Sequence, residues 1–329
     1  MVRATYSFLL GQALSIQVKH LLYWLLFCQV ANAQPFALNT QGKVFSQPVE
    51  YMYHEFLMIN CDSCVFEKDV SFFGIIPKSR AIFTNATFKS VCNFKKSRFM
   101  NGADFSNTSF SQNADFGYIE SEKDIDFNGA YFSRDALFWS GNFNDKVEFS
   151  YVNFVGDAVF IGSRFLSGHF TNTVFYAEAR FDDCFFGDRL VIKGASFKED
   201  INLERADLGK HLIIDNVKVS GIIRLRDAIL PDTIELRDID ITLPLDMDIC
   251  RPNPKGISLL YLKNIDTTKI WLDFSFMRLW FPPDCPMDIN ARDQLYKELI
   301  SLERERKRTK SLMALEEQYR QFIELGIMY

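Results

Sequence analysis

The sequence predicts an all-β solenoid, a chain wound into stacked coils of short strands. Large apolar residues, mostly Phe, recur at alternating spacings of five and six over residues 61–241. The residue two positions before each of them is usually small or β-branched, and the residue between is often polar. This alternation of inward and outward side chains is the period of a β-strand. Such short strands bury their apolar faces only by stacking on copies of themselves, as in repeat proteins.

The repeat is clearest in residues 80–112, which divide into three segments of eleven residues. When the segments are aligned, Phe83, Phe94 and Phe105 share one position, which continues with Phe116. Phe88, Phe99 and Phe110 share the position between them. An eleven-residue period also fits a helical repeat. However, two residues five positions apart lie roughly 140° apart around a helix, and the intervening Gly, Asn, Ser and Asp residues favour turns. The helical interpretation therefore fails.

Residues 102–106 (GADFS) and 113–117 (NADFG) resemble the A-(D/N)-(L/F)-x-x unit of the pentapeptide-repeat family. The resemblance covers a little over half of the chain. It implies a right-handed quadrilateral β-helix with four units to a coil. Every second corner carries one residue more than the plain unit of the family. We therefore expect coils of about 22 residues, about eight such coils, and a rod roughly 40 Å long.

Residues 1–33 have the features of a secretory signal peptide. A basic lead precedes a short apolar run at residues 21–27, and small residues precede the expected cleavage between Ala33 and Gln34. The basic residues are Arg3, Lys19 and His20. The apolar run is too short to span a bilayer, and we identify no later transmembrane segment in the sequence. Export to the periplasm or the medium is therefore expected, with a retained membrane anchor as the alternative.

The remaining boundaries follow from changes in the pattern. Residues 34–60 are expected to form an N-terminal cap, and residues 61–241 the repeats. Residues 242–287 contain several Pro residues and are expected to form an irregular segment with one terminal coil. Residues 288–329 change to the apolar spacing of a helix.

Within this last segment the sequence predicts a helical hairpin. Apolar residues are missing from residues 303–310, where the chain is expected to turn. Asp288 or Asn290 is the expected N-cap of the first helix. The basic residues of the turn favour a solvated surface, with contact to anionic lipid or to an acidic partner as the alternative.

Two irregularities and one change of lining stand out within the repeats. Ser121 occupies a position where the column requires a large residue, so a loop or bulge is expected at residues 118–124. Exposed loops on rigid scaffolds often carry function. The candidate contact residues of this loop are Tyr118, Glu120, Glu122 and Lys123. Near Gly168 a spacing of six is replaced by five, and from Leu203 onwards aliphatic residues replace Phe.

Four cysteines are candidates for disulfides in an exported protein. Cys61 and Cys64 form a CxxC pair, but the sequence offers no second pair nearby, as a zinc site would require. A local disulfide is the more plausible state of this pair. Cys250 and Cys285 lie in irregular segments on either side of the last coil, and a disulfide between them is the better candidate.

No catalytic, metal or cofactor site emerges from the sequence. Cys92 and Cys184 occupy the inward position for small residues and are expected to be buried thiols, and the histidines are isolated. A glycosidase or lyase requires converging carboxylates or basic residues, whereas outward acidic residues such as Asp104 and Asp115 fit a solvated face. We predict no enzymatic activity and no cofactor. A carbohydrate-active enzyme built on a β-helix stays as an alternative.

The sequence therefore favours an exported scaffold that binds a protein or an envelope component through a flat face or its terminal helices. The net charge of −5 gives no basic surface for nucleic acid. The resemblance offers another alternative, because some cytoplasmic pentapeptide-repeat proteins mimic DNA and bind topoisomerases. That role requires a strongly acidic rod and a cytoplasmic location. The ends of a solenoid also allow two copies to pair, so a homodimer is a further expectation.

Overall fold

The structure, a computed structural model, describes residues 36–326. They form a β-solenoid of about 11 turns followed by a C-terminal pair of helices. The predicted signal peptide and its cleavage site at Ala33 and Gln34 lie outside the described residues. The prediction of an all-β solenoid with a helical hairpin is confirmed.

Between residues 81 and 137 each Phe-lined coil has four faces, with one short strand to a face. In one coil the four strands are Ala103–Asp104, Ser109–Phe110, Ala114–Asp115 and Glu120–Ser121. The next strand, Ile125–Asp126, pairs in parallel with the first, so that Ala103 lies beside Ile125. Hydrogen-bonded neighbours are thus 22 residues apart, as between Arg98 and Glu120, which agrees with the expected coil length.

The strands stack into parallel ladders that run along the rod. One face forms a separate nine-stranded sheet of Val49–Glu50, Val70–Ser71, Cys92–Asn93, Ala114–Asp115, Ala136–Leu137, Ala158–Val159, Ala179–Arg180, Ile201–Asn202 and Ile223–Arg224. The other faces form a 23-stranded sheet of Phe36–Asn39, Val44–Phe45, Glu55–Asn60, Val65–Phe66, Ile76–Pro77, Ala81–Ile82, Thr87–Phe88, Arg98–Phe99, Ala103–Asp104, Ser109–Phe110, Glu120–Ser121, Ile125–Asp126, Tyr131–Phe132, Asn142–Glu148, Asn153–Phe154, Arg164–Thr171, Val174–Phe175, Phe185–Lys193, Ser196–Phe197, His211–Val219, Thr233–Ile241, Ser258–Lys263 and Met277–Leu279. A third sheet pairs Leu245–Asp246 with Ile270–Trp271.

The solenoid has about 11 turns, whereas about eight were predicted. The prediction counted only residues 61–241. However, Phe36–Asn39 already pairs with Glu55–Asn60, and Met277–Leu279 pairs with Ser258–Lys263. The segment expected as a separate N-terminal cap therefore contributes coil backbone of its own.

Columns of stacked Phe rings fill the interior. The rings of Phe83 and Phe105 lie parallel with centroids 5.0 Å apart, and Phe127 continues the column at 5.0 Å. Neighbouring columns meet edge to face, as Phe94 and Phe105 do at 5.1 Å and 82°. The ring spacing follows the spacing of the strands, about 4.8 Å, so backbone ladder and aromatic stack reinforce each other.

The predicted loop at residues 118–124 is wrong. Glu120–Ser121 is a strand in register with both neighbours, Arg98–Phe99 and Asn142–Glu148. Ser121 itself is buried. A small inward residue replaces a ring in the column without shifting the backbone, because the ladder hydrogen bonds do not depend on the side chain.

The other two irregularities alter the strands. The spacing change near Gly168 becomes a shift of register between Asn142–Glu148 and Arg164–Thr171. The strands lengthen from Asn142–Glu148 onwards, and in the aliphatic region His211–Val219 and Thr233–Ile241 have nine residues each. These strands are rich in Ile and Val, which favour extended backbone.

The hairpin packs on the last coil of its own chain. Its first helix, Ile289–Glu305, begins at the N-cap Asp288, whose carboxylate accepts the Ala291 N–H at 2.8 Å. The second helix spans Thr309–Gly326. Leu299 of the first helix and Leu315 of the second are buried in the same core cluster as the solenoid interior. The helices thus close the C-terminal end of the rod.

Basic side chains at the turn of the hairpin bind backbone carbonyls of the last coil. Arg306 donates to the oxygens of Thr268 and Ile270 at 2.9 and 2.8 Å. Arg308 donates to the oxygen of Leu272 at 2.6 Å. The expected solvated turn is therefore wrong for these two residues, which satisfy carbonyls at an otherwise open strand edge.

The second helix extends the same contact. Gln318 donates to the oxygen of Met277 at 2.9 Å and accepts the Leu279 N–H at 3.1 Å. Ser311 accepts the Phe274 N–H at 3.0 Å. Side-chain amides and hydroxyls thus bind these edge groups in place of a further strand of the solenoid.

An ion cluster fixes the turn to the coil beneath it. Arg308 lies 2.7 Å from the carboxylate of Asp248 and 3.1 Å from that of Glu303. The Glu303 side chain is only 2% exposed. A buried carboxylate of this kind depends on its basic partner, because an unpaired buried charge is strongly destabilising.

Candidate interaction surface

Four apolar side chains lie together on the outside of the nine-stranded sheet. Leu137 and Val159 are directly paired across neighbouring strands. Trp139 and Ile161 lie two residues further on, in the turns that follow these strands, and the Ser140 N–H donates to the Ile161 oxygen at 2.8 Å. All four are partly exposed. We call Leu137, Trp139, Val159 and Ile161 the apolar face.

The apolar face interrupts a polar surface. The outward residues paired along the column of Leu137 and Val159 are polar or charged on both sides. They are Ser71, Asn93, Asp115, Arg180, Asn202 and Arg224. Outward positions of a solvated sheet are normally polar, so the cluster of large apolar residues in two adjacent coils is a local departure from the pattern.

An aromatic and basic cluster borders the apolar face. Tyr118 and Trp139 meet edge to face with ring centroids 4.5 Å apart. The Lys95 ammonium lies 4.4 Å from the centroid of the Trp139 ring and 5.6 Å from that of the Tyr118 ring. A Cβ on Gly117 would lie 2.7 Å from the indole nitrogen of Trp139. Glycine at this position therefore allows the indole to lie against the backbone of the neighbouring coil.

The predicted contact residues separate in the structure. Tyr118 is exposed at the border of the apolar face. Glu120 lies on the next face and pairs with Arg98 at 2.9 Å. Glu122 accepts a hydrogen bond from Asn144 at 3.0 Å and, like Lys123, is exposed at the following corner. The structure thus brings only Tyr118 next to the apolar face.

Carboxylates form the opposite border, at the corner that precedes the strands of the apolar face. One oxygen of Asp135 accepts the Asp157 N–H at 3.2 Å. One oxygen of Asp157 accepts the Glu178 N–H at 3.3 Å. These carboxylates stabilise the corners. They also place negative charge beside the apolar face, opposite the Lys95 side.

A second row of acidic residues lies on a different face. Asp104, Asp126 and Glu148 are neighbours along one column. Burial, together with the neighbouring Asp104 and Glu148 charges, raises the pKa of the Asp126 carboxyl. The row ends at His169, which lies 3.7 Å from Glu148 and whose pKa is lowered chiefly by burial. Within residues 36–326, no group of three or more His, Cys, Asp or Glu side chains is placed to hold a metal ion.

Cys61 and Cys64 lie side by side inside the second coil as free thiols. Both contact the Thr40 hydroxyl, at 3.3 and 3.6 Å, and Cys64 donates to the Thr40 carbonyl at 2.8 Å. Burial raises the pKa of the Cys61 thiol to about 12. The Cys61 thiol is therefore protonated at neutral pH, and burial shields both thiols from reagents once the chain has folded.

Cys250 and Cys285 are not joined in the structure and make separate contacts. Cys250 occupies the inward position of its coil and points at the Leu225 oxygen at 3.6 Å. Cys285 donates to the Tyr261 hydroxyl at 3.5 Å. The expectation of a bond between them rested on irregular flanking segments, but Cys250 belongs to the core of the coil.

Part of this surface could have been found from the sequence. The outward positions of the repeat are readable from the register, so Leu137, Trp139, Val159 and Ile161 could have been found by collecting the residues between inward ones. The Arg306 and Arg308 contacts could not, because they depend on how the hairpin docks.

None of the helices in the described part of the chain has the length and apolar character to cross a bilayer.

Residues 79–120 match the family model described as pentapeptide repeats (9 copies). The comparisons with curated proteins and with solved structures give no match. Pentapeptide-repeat proteins are generally non-enzymatic, and the solenoid supports a non-catalytic repeat scaffold. The matched repeats and the β-solenoid that contains them identify the chain as a pentapeptide-repeat protein.

Proposed function

We propose that this protein is an exported, non-catalytic scaffold that binds a protein partner through the apolar face. The observation that carries the proposal is the grouping of Leu137, Trp139, Val159 and Ile161, because the column of Leu137 and Val159 has polar or charged neighbours at both ends. Contiguous apolar patches rimmed by polar residues commonly mark interaction sites on soluble proteins. Trp and Tyr are enriched among the residues that dominate binding energy at such sites.

The geometry favours a macromolecule over a small ligand. The strands of the apolar face are bonded to neighbours on both sides, so their backbone is held in place. Small molecules prefer concave sites that enclose most of their surface, whereas a flat rigid face suits another protein. The borders add directionality, because Lys95 lies on one side and Asp135 and Asp157 on the other.

Export is supported by the sequence of residues 1–33, with its basic lead, short apolar run and small residues before Gln34. The mature protein would then act in the periplasm or the medium. In such an oxidising compartment a disulfide between Cys61 and Cys64 would have to form before the pair is buried.

No specific observation favours DNA mimicry. Charges on the outside alternate in sign along the columns, as in the pairs of Arg98 with Glu120 at 2.9 Å and Lys89 with Glu67 at 3.2 Å. A phosphate-like surface needs long rows of carboxylates, and the row of Asp104 stops at Glu148.

The test combines localisation with site-specific crosslinking. The protein is expressed in a bacterial host, the cell is fractionated, and intact mass is measured without reduction. We expect a mature chain that begins at Gln34 in the exported fraction. An unprocessed chain in the cytoplasm would contradict export.

A photo-crosslinking amino acid is then placed at Ile161 and, as a matched control, at Asn202 on the same sheet beyond the apolar face. We expect one discrete adduct from Ile161 that Trp139→Glu abolishes, and none from Asn202. Equal crosslinking from both positions, or an adduct insensitive to Trp139→Glu, would contradict binding through the apolar face. Circular dichroism melting checks that the variants remain folded.

A further inference from the structure

We propose that the first coil of the solenoid is a docking surface for the first coil of a second copy, giving a head-to-head dimer. Three strands form this end of the rod: Phe36–Asn39, Val44–Phe45 and Val49–Glu50. Each pairs with a strand of the second coil on one side. On the other side, none has a neighbour among the residues that the structure describes. A free strand edge is a template for pairing with another chain.

The interior of the rod is also open at this end. Three inward columns terminate in aromatic rings that belong to the first coil, and each ring is stacked or tilted against the ring below it on one side only. Phe36 lies 4.8 Å from Phe56, Phe45 lies 4.7 Å from Phe66, and Tyr51 lies 5.7 Å from Phe72.

Exposure at this end contrasts with the middle of the rod. Phe36 is 38% exposed, whereas Phe56 and Phe66, the rings that follow in the second coil, are buried. Val44, Met52 and Tyr53 add exposed apolar surface around the same end. The end of the rod is therefore a cross-section of the core surrounded by unpaired backbone.

The proposed export determines which chain covers this cross-section, and the inference rests on that proposal. Cleavage between Ala33 and Gln34 leaves two residues before Phe36. Two residues span at most about 7 Å, too little to cross a coil whose sides are about 16 Å long. The cover must then come from another chain.

A second copy suits this end by symmetry and by charge. A two-fold axis across the end sets each strand edge antiparallel to its mate, so the same unpaired donors and acceptors complement each other. The rim carries both signs, with Lys43 over the Phe45 ring at 4.7 Å and Glu50 on the next face. Two copies are therefore not held apart by like charge.

The hairpin closes the opposite end, so association stops at two copies. A patch about 16 Å on a side buries far less than the roughly 1,200 Å² of a standard interface. The dimer should therefore be reversible and depend on protein concentration.

The test is sedimentation velocity on the purified exported protein over a wide concentration range, after its intact mass has been measured. We expect a monomer–dimer equilibrium. Val44→Lys places a charge on the open edge and should raise the dimer dissociation constant at least tenfold. Val91→Lys is the matched control, because Val91 is similarly exposed but lies on the side of the rod; it should leave the constant unchanged.

Hydrogen exchange of the wild-type protein gives a second measurement that needs no variant. Amides of residues 36–45 should exchange more slowly at high than at low protein concentration. A monomer at all concentrations, a dimer insensitive to Val44→Lys, or equal weakening by Val91→Lys would overturn the proposal.

The intact mass separates this outcome from the fate of the export proposal. A processed chain that stays monomeric supports export and refutes the dimer. An unprocessed chain that dimerises with sensitivity to Val44→Lys does the reverse. An unprocessed monomer refutes both.

Discussion

The Phe-lined coils of residues 81–137 and the aliphatic coils of the same rod are held together differently. Between Ala103–Asp104 and Ile125–Asp126 only two residues pair, and the same holds for Ser109–Phe110 and Tyr131–Phe132. Over the corresponding two faces of the aliphatic region, His211–Val219 and Thr233–Ile241 pair along almost their whole length.

The difference shows two ways to stabilise a coil. Stacked rings bury a large apolar area and contact each other from coil to coil, so short strands are sufficient. Smaller side chains bury less area, and there a longer ladder of backbone hydrogen bonds accompanies them. The aliphatic coils also lie next to the helical cap, which adds contacts that the Phe-lined coils lack.

The sharpest test removes one large side chain from each region. Phe116→Ala should lower the unfolding free energy by about 4 kcal/mol and Leu236→Ala by about 3 kcal/mol. Both side chains are fully buried, but Phe116 also loses stacking with Phe94 at 5.1 Å and Phe138 at 5.0 Å. Urea denaturation with hydrogen exchange by coil measures both. Equal losses at the two sites would remove the distinction between the regions.

The contribution of the cap to the aliphatic end is tested at the hairpin turn. Arg308→Ala should cost about 3 kcal/mol of local stability, because it leaves the buried Glu303 carboxylate without its closest partner. Arg304→Ala is the matched control, since Arg304 makes only an exposed pair with Glu316; its cost should stay below about 0.5 kcal/mol. Hydrogen exchange of residues 268–279 reports the effect. Similar exchange in both variants would mean that the last coil is stable without the clamp.

Two buried serines in the Phe-lined region should respond with opposite sign. The Ser121 hydroxyl is buried without a hydrogen-bond partner among the described residues, whereas the Ser97 hydroxyl donates to the Phe72 oxygen at 2.8 Å. Ser121→Ala should raise the unfolding free energy by about 1 kcal/mol and Ser97→Ala should lower it by about 1 kcal/mol. Thermal and urea unfolding measure both. A loss of stability in Ser121→Ala would show that its hydroxyl is satisfied in solution.

The smallest expected effect concerns the row of Asp104, Asp126 and Glu148. In the later coils the same column holds the apolar residues Val191 and Ile213. Asp126→Asn should raise the unfolding free energy by about 0.5 kcal/mol at pH 7, because it removes like charge between Asp104 and Glu148. The folded pKa of Asp126 is raised. The wild type therefore gains stability as pH falls from neutral through that pKa, and the gap between the two proteins should close.

Asp115→Asn is the control for the acidic row. The carboxylates of Asp115 and Asp126 each accept a backbone N–H two residues on, but the column neighbours of Asp115 are the uncharged Asn93 and Leu137. Its effect should be near zero at every pH. A gap for Asp126→Asn that persists at low pH would exclude charge repulsion as the cause.

The repeating part of the fold was predictable because each residue reports on its own position. Phe at one position and Ala two residues before it recur in successive coils, so one exception such as Ser121 does not change the predicted fold. Treating that exception as a loop was wrong for this reason. The number of coils was underestimated because the first and last coils depart from the Phe pattern.

The candidate surface and the end contacts were less predictable. Tyr118 was selected as part of a loop, but its setting beside Trp139 and Lys95 depends on residues one coil away on either side. From the sequence, Arg306 and Arg308 were expected to be solvated. The backbone carbonyls that accept their hydrogen bonds cannot be recognised from residue types. Contacts between a repeated element and a unique one need the three-dimensional arrangement.

Arg306 and Gln318 of the clamp bind main-chain oxygens of the last coil, and Arg308 binds one such oxygen together with the Asp248 carboxylate. Apart from this ion pair, the clamp bonds do not depend on which side chains line the rod. The 22-residue coil can therefore be duplicated or removed upstream while every clamp bond stays in place. The number of coils can thus be changed independently of the way the hairpin closes the C-terminal end. The same hairpin can therefore close engineered rods of other lengths.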